Sequence, residues 1–525
     1  MTRSRPLFIF ATACIFTAPS AFAATCESLT SLAITQGTID SAKTVAAGEF
    51  TPPNMRPRDA ADPARVDNPA TAIYRTLPAF CRASMTLRPS ADSDIKVEVW
   101  LPLSNWNGKY QAVGNGGWAG VISYGALAEG LKRGYAASST DTGHTGATGS
   151  FALGHPEKLI DFGYRSVHEM TVKSKQIVDA FYGNAPRYSY WNGCSTGGRQ
   201  GLMEAQRYPN DFDGILAGAP ANTRSGLTTE EMVIGLAALK DPSGNIPKSK
   251  YSLIHDAVLA KCDALDGIKD GLIQNPLKCK FEPEVLLCKE GDGPSCLTKA
   301  QVATLHAVYD PVIHPKTKQL IYPGQSPGAE TGLQVMAGGP EPFGPSLDQF
   351  RYVVHKDAKW DWRTFDLASD ATANEELSKD LLNAADTNLR PFLSHGKLVL
   401  YHGWSDPNVP AENTVNYYNK VVDTLGGKST AKDSPASNMT LYMIPGMGHC
   451  SNGEGPNVFD MLTSLENWVE KDQAPGPVVA TKYKTNGNPA SGVERTRPLC
   501  TYPQVAKYKD AGSIDDAANF FCATE

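Results

Sequence analysis

A serine in a glycine-rich turn is the first residue whose setting suggests chemistry. Residues 193–197 read GCSTG and fit the pattern G-x-S-x-G, which forms the sharp strand-to-helix turn that exposes a nucleophilic serine. A serine hydroxyl is a weak nucleophile near neutral pH, so it needs a base, and the base needs an acid to orient it. Since glycine and serine are common, the pattern carries weight only if such partners occur elsewhere in the chain.

Two later residues stand where a catalytic triad would need them. In α/β-hydrolases the order along the chain is serine, acid, histidine, each in a loop after a strand. Asp406 follows the strand-like run KLVLYHG, and His449 follows TLYMIPG. The sequence therefore predicts Ser195 as nucleophile, Asp406 as acid and His449 as base. Asp213 is a rival acid, but it precedes a buried strand-like segment and so lies at the wrong end of it.

Cysteines flank two of these three residues. Cys194 precedes Ser195, and Cys450 follows His449. A disulfide needs Cα atoms within roughly 7 Å of each other, and a triad needs its serine and histidine at about that separation. We therefore predict a Cys194–Cys450 disulfide that joins the nucleophile loop to the base loop. An oxidised Cys194 cannot attack a carbonyl, which leaves Ser195 as the nucleophile.

Acyl transfer also requires hydrogen-bond donors for the oxyanion that forms on the carbonyl. One predicted donor is the backbone N–H of Thr196, the residue after the nucleophile. The other is expected in the loop GNGGWAG at 114–120, where glycines allow the backbone to approach a ligand closely. We predict that the backbone N–H of Gly117 is this second donor, with that of Gly116 as a close alternative. The competing interpretation is that this loop is only a tight turn.

His402 and Trp118 are further candidates for the substrate pocket. His402 precedes Asp406, so as a base it would reverse the expected order, and we interpret it as a residue of the pocket or of the triad's support. A hydrogen-bonded core histidine is an equal alternative. Trp118 could stack on an aromatic acyl group, although a single tryptophan more often packs in a core or a lid.

The elements that must position these residues follow an α/β pattern. Strand-like segments alternate with helical spacing from residue 95 to 220, which predicts a mostly parallel sheet covered on both faces. The pattern breaks between about residues 222 and 390 and resumes at 397–410 and 438–450. We predict an α/β-hydrolase fold whose catalytic domain comprises 24–221 and 391–525, with a lid domain inserted at 222–390.

The N-terminus and the composition indicate an exported protein. Arg3 and Arg5 precede a short apolar run, and an A-x-A motif ends at Ala23, which predicts a signal peptide over residues 1–23 and a secreted or periplasmic location. Loss of Cys14 with this peptide reduces eleven cysteines to ten, which favours five disulfides over a zinc site. The net charge of −6 gives no reason to expect nucleic acid or a membrane as partner.

An acidic loop at 262–279 is the second candidate site. Asp263, Asp266 and Asp270 crowd three carboxylates onto a short segment. Like charges this close repel unless a cation is present, and calcium prefers carboxylate and carbonyl oxygens. The alternative is a set of solvated turns built on aspartate side chains. Cys262 and Cys279 flank the loop and are expected to bond.

These motifs together resemble the tannase/feruloyl esterase family: Cys-Ser at the elbow, Asp406 in HGWSDP, and His449 in GHC. The resemblance implies a carboxylesterase that acts on small-molecule esters of aromatic, hydroxycinnamic-type acids through an acyl-enzyme. Galloyl esters or mono(hydroxyethyl) terephthalate are the alternative substrates. Outside enzymes, the alternative is a non-catalytic ligand-binding hydrolase scaffold. The sequence contains no H-E-x-x-H motif, so a metallohydrolase is the least supported class of enzyme.

The same resemblance implies structural features away from the triad. It implies a structural calcium ion in the lid, held by the side chains of Asp263, Asp266 and Asp270 and the carbonyls of Ile268 and Leu272. It also implies, with the order of the cysteines along the chain, three further disulfides: Cys26–Cys81, Cys288–Cys296 and Cys500–Cys522.

Overall fold

The computed structural model describes residues 24–53, 69–427 and 434–525. The predicted signal peptide, residues 1–23, lies outside these ranges. The strands are β1 (Gly37–Val45), β2 (Phe80–Leu87), β3 (Ile95–Pro102), β4 (Lys109–Val113), β5 (Ala136–Thr140), β6 (Tyr188–Cys194), β7 (Gly214–Gly218), β8 (Val312–Ile313), β9 (Leu320–Tyr322), β10 (Lys397–Gly403), β11 (Met439–Ile444), β12 (Val478–Tyr483), β13 (Val493–Leu499), β14 (Gln504–Tyr508) and β15 (Phe520–Thr524).

One nine-stranded sheet organises the chain, in the order β1-β2-β3-β5-β4-β6-β7-β10-β11. The pairings from β1 to β5 are antiparallel, and those from β5 to β11 are parallel. Every residue of β5 and β7 is buried, as expected for parallel strands with both faces covered. The predicted α/β fold with a mostly parallel sheet is confirmed; the antiparallel pairings lie at one edge of the sheet.

Helices cover the sheet and fill the chain between β7 and β10. The α-helices are α1 (Pro69–Arg75), α2 (Tyr124–Lys132), α3 (Pro156–Ile160), α4 (Ser166–Tyr182), α5 (Thr196–Arg207), α6 (Arg224–Leu239), α7 (Tyr251–Cys262), α8 (Lys299–Tyr309), α9 (Gln334–Ala337), α10 (Gly344–Asp348), α11 (Leu367–Ser378), α12 (Arg390–Leu393), α13 (Ala411–Thr424) and α14 (Met461–Lys471).

Adjacent residues of β7 show how the two faces are covered. Ile215 belongs to a core that includes apolar residues of α4 and α5, whereas Leu216 belongs to a core that includes residues of α14. Successive side chains of a strand point to opposite faces, so α4 and α5 cover one face and α14 covers the other. This packing fixes the strand ends from which the site loops extend.

Between β7 and β10 the described chain adds no strand to the large sheet. This segment carries α6 to α12 and the two-stranded β8–β9 hairpin. It also has an apolar core of its own, which includes Ile234, Ile254 and Leu305. The division into a catalytic domain and a lid at residues 222 and 390 stays a prediction.

Five disulfides link the described chain: Cys26–Cys81, Cys194–Cys450, Cys262–Cys279, Cys288–Cys296 and Cys500–Cys522. These are the pairs expected from the sequence and from its resemblance. Within the same ranges, no helix has the length and apolar character needed to span a membrane.

Candidate active site

Ser195 occupies a strained turn between β6 and α5. Its φ is 63° and its ψ is −121°, a region that residues other than glycine rarely adopt. Gly193 and Gly197 on either side of Ser195 must be glycine, because a side chain at either position would collide with neighbouring backbone. A Cβ on Gly193 would lie 2.6 Å from the carbonyl oxygen of Gly197, and a Cβ on Gly197 would lie 3.1 Å from the Cα of Gly114. The G-x-S-x-G pattern therefore predicted this backbone geometry correctly.

Asp406 lies in the loop after β10 and is fully buried. Its Oδ1 accepts the backbone N–H groups of Asn408 at 2.8 Å and Val409 at 3.0 Å. Its Oδ2 lies 2.7 Å from Nδ1 of His449 and 3.0 Å from Nε2 of His402. Burial opposes the charge, but the His449 imidazole and the hydrogen bonds from both histidines outweigh it and hold the pKa of Asp406 below its usual range.

His449 lies in the loop after β11, with 24% of its side chain exposed. Because Nδ1 faces Asp406, Nε2 is the ring nitrogen left to exchange a proton with a substrate or a nucleophile. Burial works against a protonated imidazole, but the Asp406 carboxylate outweighs burial and raises the pKa of His449 above its ordinary value. His449 and Asp406 therefore have the arrangement of a general base whose ring is oriented by an acid.

Ser195 and His449 line one cavity of about 360 Å³. Thr196 and Gly117, the residues predicted for the oxyanion hole, line the same cavity. The Thr196 hydroxyl donates to the Gly117 carbonyl oxygen at 2.9 Å. Gly117 has a φ of 54°, and an added Cβ would meet nothing within 4 Å, so the backbone here borders open space. The remaining lining residues are Gly116, Cys194, Ala221, Arg224, Leu227, Thr228, Glu231, Phe343, Pro345, Asn408, Val409 and Cys450.

His402 does not line this cavity. It is fully buried, with Nε2 at 3.0 Å from both Asp406 Oδ2 and the Val409 carbonyl oxygen, and Nδ1 at 2.7 Å from Thr414 Oγ1. A carbonyl can only accept, so Nε2 carries the proton and Nδ1 accepts from the Thr414 hydroxyl. His402 therefore supports Asp406 from the protein interior, because its strand places it beneath the acid.

Trp118 does not line the cavity either. It is 1% exposed, its Nε1 donates to the Pro345 carbonyl oxygen at 2.9 Å, and it packs against Phe162. The guanidinium of Arg224 lies 3.8 Å above its ring. Trp118 therefore packs beneath Arg224, which itself lines the cavity. Sequence reasoning missed Arg224, which opens α6 in the predicted lid.

The acidic loop is tightly hydrogen-bonded. Both oxygens of Asp263 accept backbone N–H groups, from Asp270 and Gly271 at 3.1 Å each. Oδ2 of Asp270 lies 2.5 Å from Nη2 of Arg497. Burial raises the pKa of Asp266 to about 6, and the carboxylates of Asp270 and Asp263 add to that rise. Such mutual repulsion, with oxygen donors only, fits a hard cation such as calcium.

The present rotamers do not gather these three carboxylates closely. Within the described ranges, the one group of three such side chains with ligand atoms within 4.8 Å of one another is His168, Glu204 and Asp211. Each aspartate of the acidic loop is instead turned towards neighbouring backbone N–H groups. The loop therefore offers calcium the right donors, while tighter coordination would require side-chain adjustment.

The fold and the site together define a class of enzyme. The loops that carry Ser195, Asp406 and His449 follow β6, β10 and β11 at the carboxyl ends of parallel strands, which is the arrangement of α/β-hydrolases. Within that class, the chain belongs to the family described as tannase and feruloyl esterase, whose sequence profile matches residues 81–523.

Individual relatives agree with this assignment. An uncharacterized esterase from Xanthomonas campestris pv. campestris is 37% identical, covering 97% of this chain and 92% of the relative. A probable feruloyl esterase B-2 from Aspergillus terreus is 35% identical, covering 87% and 89% of the two chains. The crystal structure of feruloyl esterase B from Aspergillus oryzae superposes with a TM-score of 0.85 at 31% identity, covering 95% of this chain and 99% of that one. The protein is a carboxylic ester hydrolase of the feruloyl esterase/tannase type.

Proposed function

We propose that this protein is a secreted serine carboxylesterase that hydrolyses esters of aromatic, hydroxycinnamic-type acids. The observation that carries the mechanism is the 2.7 Å contact between His449 Nδ1 and Asp406 Oδ2, beside a cavity that His449 shares with Ser195. The substrate class rests on the family and on relatives named as feruloyl esterases.

In the proposed reaction, Ser195 Oγ attacks the ester carbonyl carbon while His449 Nε2 takes the hydroxyl proton. Asp406 holds the imidazole in orientation and stabilises the imidazolium that forms. The oxyanion accepts hydrogen bonds from the backbone N–H groups of Thr196 and Gly117. His449 then returns the proton to the departing alcohol, and a water molecule activated by His449 hydrolyses the acyl-enzyme to release the acid.

The cavity is suited to a flat, partly apolar acyl group. Leu227, Phe343 and Pro345 contribute apolar wall, and most of the accessible surface of the cavity is apolar, which is the usual character of a small-molecule site. Its volume of about 360 Å³ lies in the range of such sites. Galloyl esters and mono(hydroxyethyl) terephthalate present similar ring sizes and are therefore the comparison substrates.

A turnover panel tests this proposal. We expect methyl ferulate to give a higher kcat/KM than methyl gallate or mono(hydroxyethyl) terephthalate, and chlorogenate to be hydrolysed as a second hydroxycinnamate. Ser195→Ala should lower kcat by several orders of magnitude on every substrate, because triad members act as a unit. Ser252→Ala, at an exposed serine of α7 that does not line the cavity, is the control. Equal turnover by wild type and Ser195→Ala would refute the mechanism.

We also propose that the acidic loop binds a structural calcium ion through Asp263, Asp266 and Asp270, with the Ile268 and Leu272 carbonyls completing the set. Bound calcium would offset the burial and the carboxylate repulsion that together raise the pKa of Asp266, and it would stabilise the native state by mass action. Chelation should then lower the Tm of wild type, but not that of Asp266→Ala. Asp256→Ala, at an exposed position of α7, is the control. Absence of calcium in elemental analysis, with no response to chelator, would reject the site.

Secretion is the last part of the proposal. Five disulfides are typical of proteins that mature in an oxidising compartment, and residues 1–23 have the pattern of a signal peptide. N-terminal sequencing of the exported protein should begin at Ala24. A mature chain that retains residues 1–23 would contradict this expectation.

A further inference from the structure

Arg224 is a buried cation in the wall of the cavity that contains Ser195. It is the first residue of α6 and is 3% exposed. Its side chain donates one hydrogen bond, from Nε to Oε1 of Gln349 at 3.1 Å. Its Nη2 has no hydrogen-bond partner within the described ranges. A buried guanidinium with unused donors is costly unless something else satisfies it.

No carboxylate of the described residues forms an ion pair with Arg224 within 4.0 Å. Glu231 and Asp348 act on it only from a greater distance, and burial lowers the pKa of Arg224 to about 10. It is therefore still a cation at neutral pH. The ring of Trp118, 3.8 Å from Cζ, supports one face of the guanidinium through a cation–π contact but does not accept its in-plane N–H groups.

Arg199 shows how this chain treats a structural buried arginine. It is also fully buried, yet Nη1 donates to the carbonyl oxygens of Gly163 and Leu382, and Nη2 donates to that of Phe162. Backbone carbonyls thus satisfy the terminal nitrogens of Arg199. Only Nε of Arg199 is left without a partner in the described structure. Arg224 lacks carbonyl partners for its terminal nitrogens and borders the cavity instead, which leaves room for an acceptor from a ligand.

One face of α6 presents this cation to the cavity. Arg224, Leu227, Thr228 and Glu231 all line it, and these positions fall on one side of a helix. Oε2 of Glu231 has no hydrogen-bond partner in the described structure, and burial raises the pKa of Glu231 to about 8. The charge of Arg224 opposes that rise, but the two side chains form no ion pair within 4.0 Å, so Glu231 neutralises Arg224 less than a contacting carboxylate would.

We propose that Arg224 is a specificity-determining residue that binds a carboxylate carried by the ester substrate away from the bond that is cleaved. The guanidinium donates charge-assisted hydrogen bonds, and a carboxylate oxygen is the acceptor that suits it best. The proposal rests on the proposed esterase activity and predicts that, of two otherwise matched esters, the one that carries a carboxylate is the better substrate. The carboxylate can belong to the acyl group or to the alcohol, because both extend from the ester into the same cavity.

Two pairs of isosteric substrates test this selectivity. Monomethyl terephthalate and methyl 4-carbamoylbenzoate differ only in a carboxylate or carboxamide on the acyl side. The ferulate esters of 3-hydroxybenzoic acid and 3-hydroxybenzamide make the same comparison on the alcohol side. Wild type should prefer the acid by at least about tenfold in kcat/KM in one pair, since a site built for a polar group rejects the analogue that lacks it. A ratio near one in both pairs overturns the proposal, whatever the variants do.

Variants assign the preference to this residue. Arg224→Met keeps a long side chain over Trp118 and should bring the acid-to-amide ratio close to one, mainly by slowing the acid. Arg224→Lys keeps the positive charge but not the planar guanidinium, so it should retain part of the acid-to-amide ratio that Arg224→Met loses. The control is Arg363→Met, which removes an arginine that stacks on Trp362 outside the cavity and should leave the ratio unchanged. A ratio that survives in a folded Arg224→Met overturns the assignment.

A binding measurement separates this proposal from the esterase activity. Titration of terephthalate and of terephthalamide into wild type, followed by calorimetry, needs no turnover. Tighter binding of the diacid to wild type, lost in Arg224→Met or Arg224→Lys, supports the carboxylate site even if no ester in the panel is hydrolysed. Ester hydrolysis without any preference for the anionic member, and without diacid binding, leaves the proposed function intact and rejects the role of Arg224.

Discussion

Cys194 and Cys450 are bonded with their Cα atoms 5.9 Å apart, which ties the residue before Ser195 to the residue after His449. The backbone on both sides of this bond is in an uncommon conformation, with φ of 63° at Ser195 and 62° at Cys450. Such strain persists only where the surroundings hold it in place. The disulfide is therefore part of what fixes the separation between the serine and the histidine.

Removing this bond with Cys194→Ala and Cys450→Ala should lower kcat more than it raises KM. Proton transfer requires the serine oxygen and the imidazole nitrogen within about 2.6–3.2 Å, and two unlinked loops hold that distance less well. The long loop that the bond closes, with a sequence separation of 256 residues, also predicts a stability loss of about 2–4 kcal/mol. Kinetics well below the Tm, together with denaturation curves, separate the two effects.

The matched control is Cys288→Ala with Cys296→Ala, which removes a disulfide of the inserted segment spanning 8 residues. It should leave kcat unchanged. If the Cys194/Cys450 variant is less stable but turns over substrate at the wild-type rate, the bond holds the domain together without tuning the site.

Replacing His402 should impair catalysis without affecting substrate binding. His402 donates to Asp406 from the interior, so His402→Ala leaves a buried carboxylate with one donor fewer and freer to rotate away from His449. We expect kcat to fall by about 10–100-fold, the scale of a small misplacement in a catalytic group, with KM nearly constant. His402→Gln can still donate and should recover part of the loss. His395→Ala, at an exposed position, should have no effect, and a normal kcat in His402→Ala would contradict a positioning role.

The pH dependence of kcat/KM should reflect the Asp406–His449 pair. The acid limb of this profile reports the pKa of the free enzyme's base, and His449 must be neutral to accept a proton. Its folded pKa is raised above 6.5 by Asp406, so activity should fall as the pH drops through a midpoint above 6.5. In Asp406→Asn the residual activity should have a lower midpoint. A neutral ester without an ionisable group is the substrate for this measurement, and a wild-type midpoint at or below 6.5 would contradict the pairing.

The order of the triad residues made much of the site predictable. Ser195 directly follows β6, and Asp406 and His449 lie in the loops after β10 and β11, so local patterns locate all three at one edge of the sheet. The pocket was less predictable, because its wall depends on where the inserted segment folds. Trp118 is covered by Arg224 of α6, a contact between distant parts of the chain. In the sequence, His402 is recognisable only as a residue near Asp406, and it is buried because both faces of β10 are covered.

His255 links the predicted lid to the loop that carries His449. It lies on α7, with Nδ1 at 2.7 Å from Glu330 Oε2 and Nε2 at 2.9 Å from Glu454 Oε2. Glu330 is fully buried in the inserted segment, while Glu454 follows the His449 loop and is 47% exposed. Burial works against a charged His255, but its hydrogen bond with Glu330 and the negative charges of both glutamates outweigh burial and raise its pKa to about 10.

This arrangement predicts a stability contribution that decreases as the pH rises. A group whose pKa is higher in the folded state stabilises the protein fully below its unfolded pKa, here about 6.5, and loses that contribution as the pH approaches the folded value. His255→Gln should therefore be less stable than wild type by the largest margin near pH 6, and the margin should shrink towards pH 10. Chemical denaturation at several pH values measures it.

Two glutamate variants test the geometry of the link. Glu330→Gln removes the buried partner and should cost more stability than Glu454→Gln, because solvent screens the exposed Glu454. His306→Gln is the matched control, since this histidine also lies between two carboxylates, Glu284 and Asp310, but all three are exposed. Its stability should differ little from wild type at any pH. A deficit of His255→Gln that stays constant or grows between pH 6 and pH 10 would show that His255 is neutral in the folded protein and does not form this charged link.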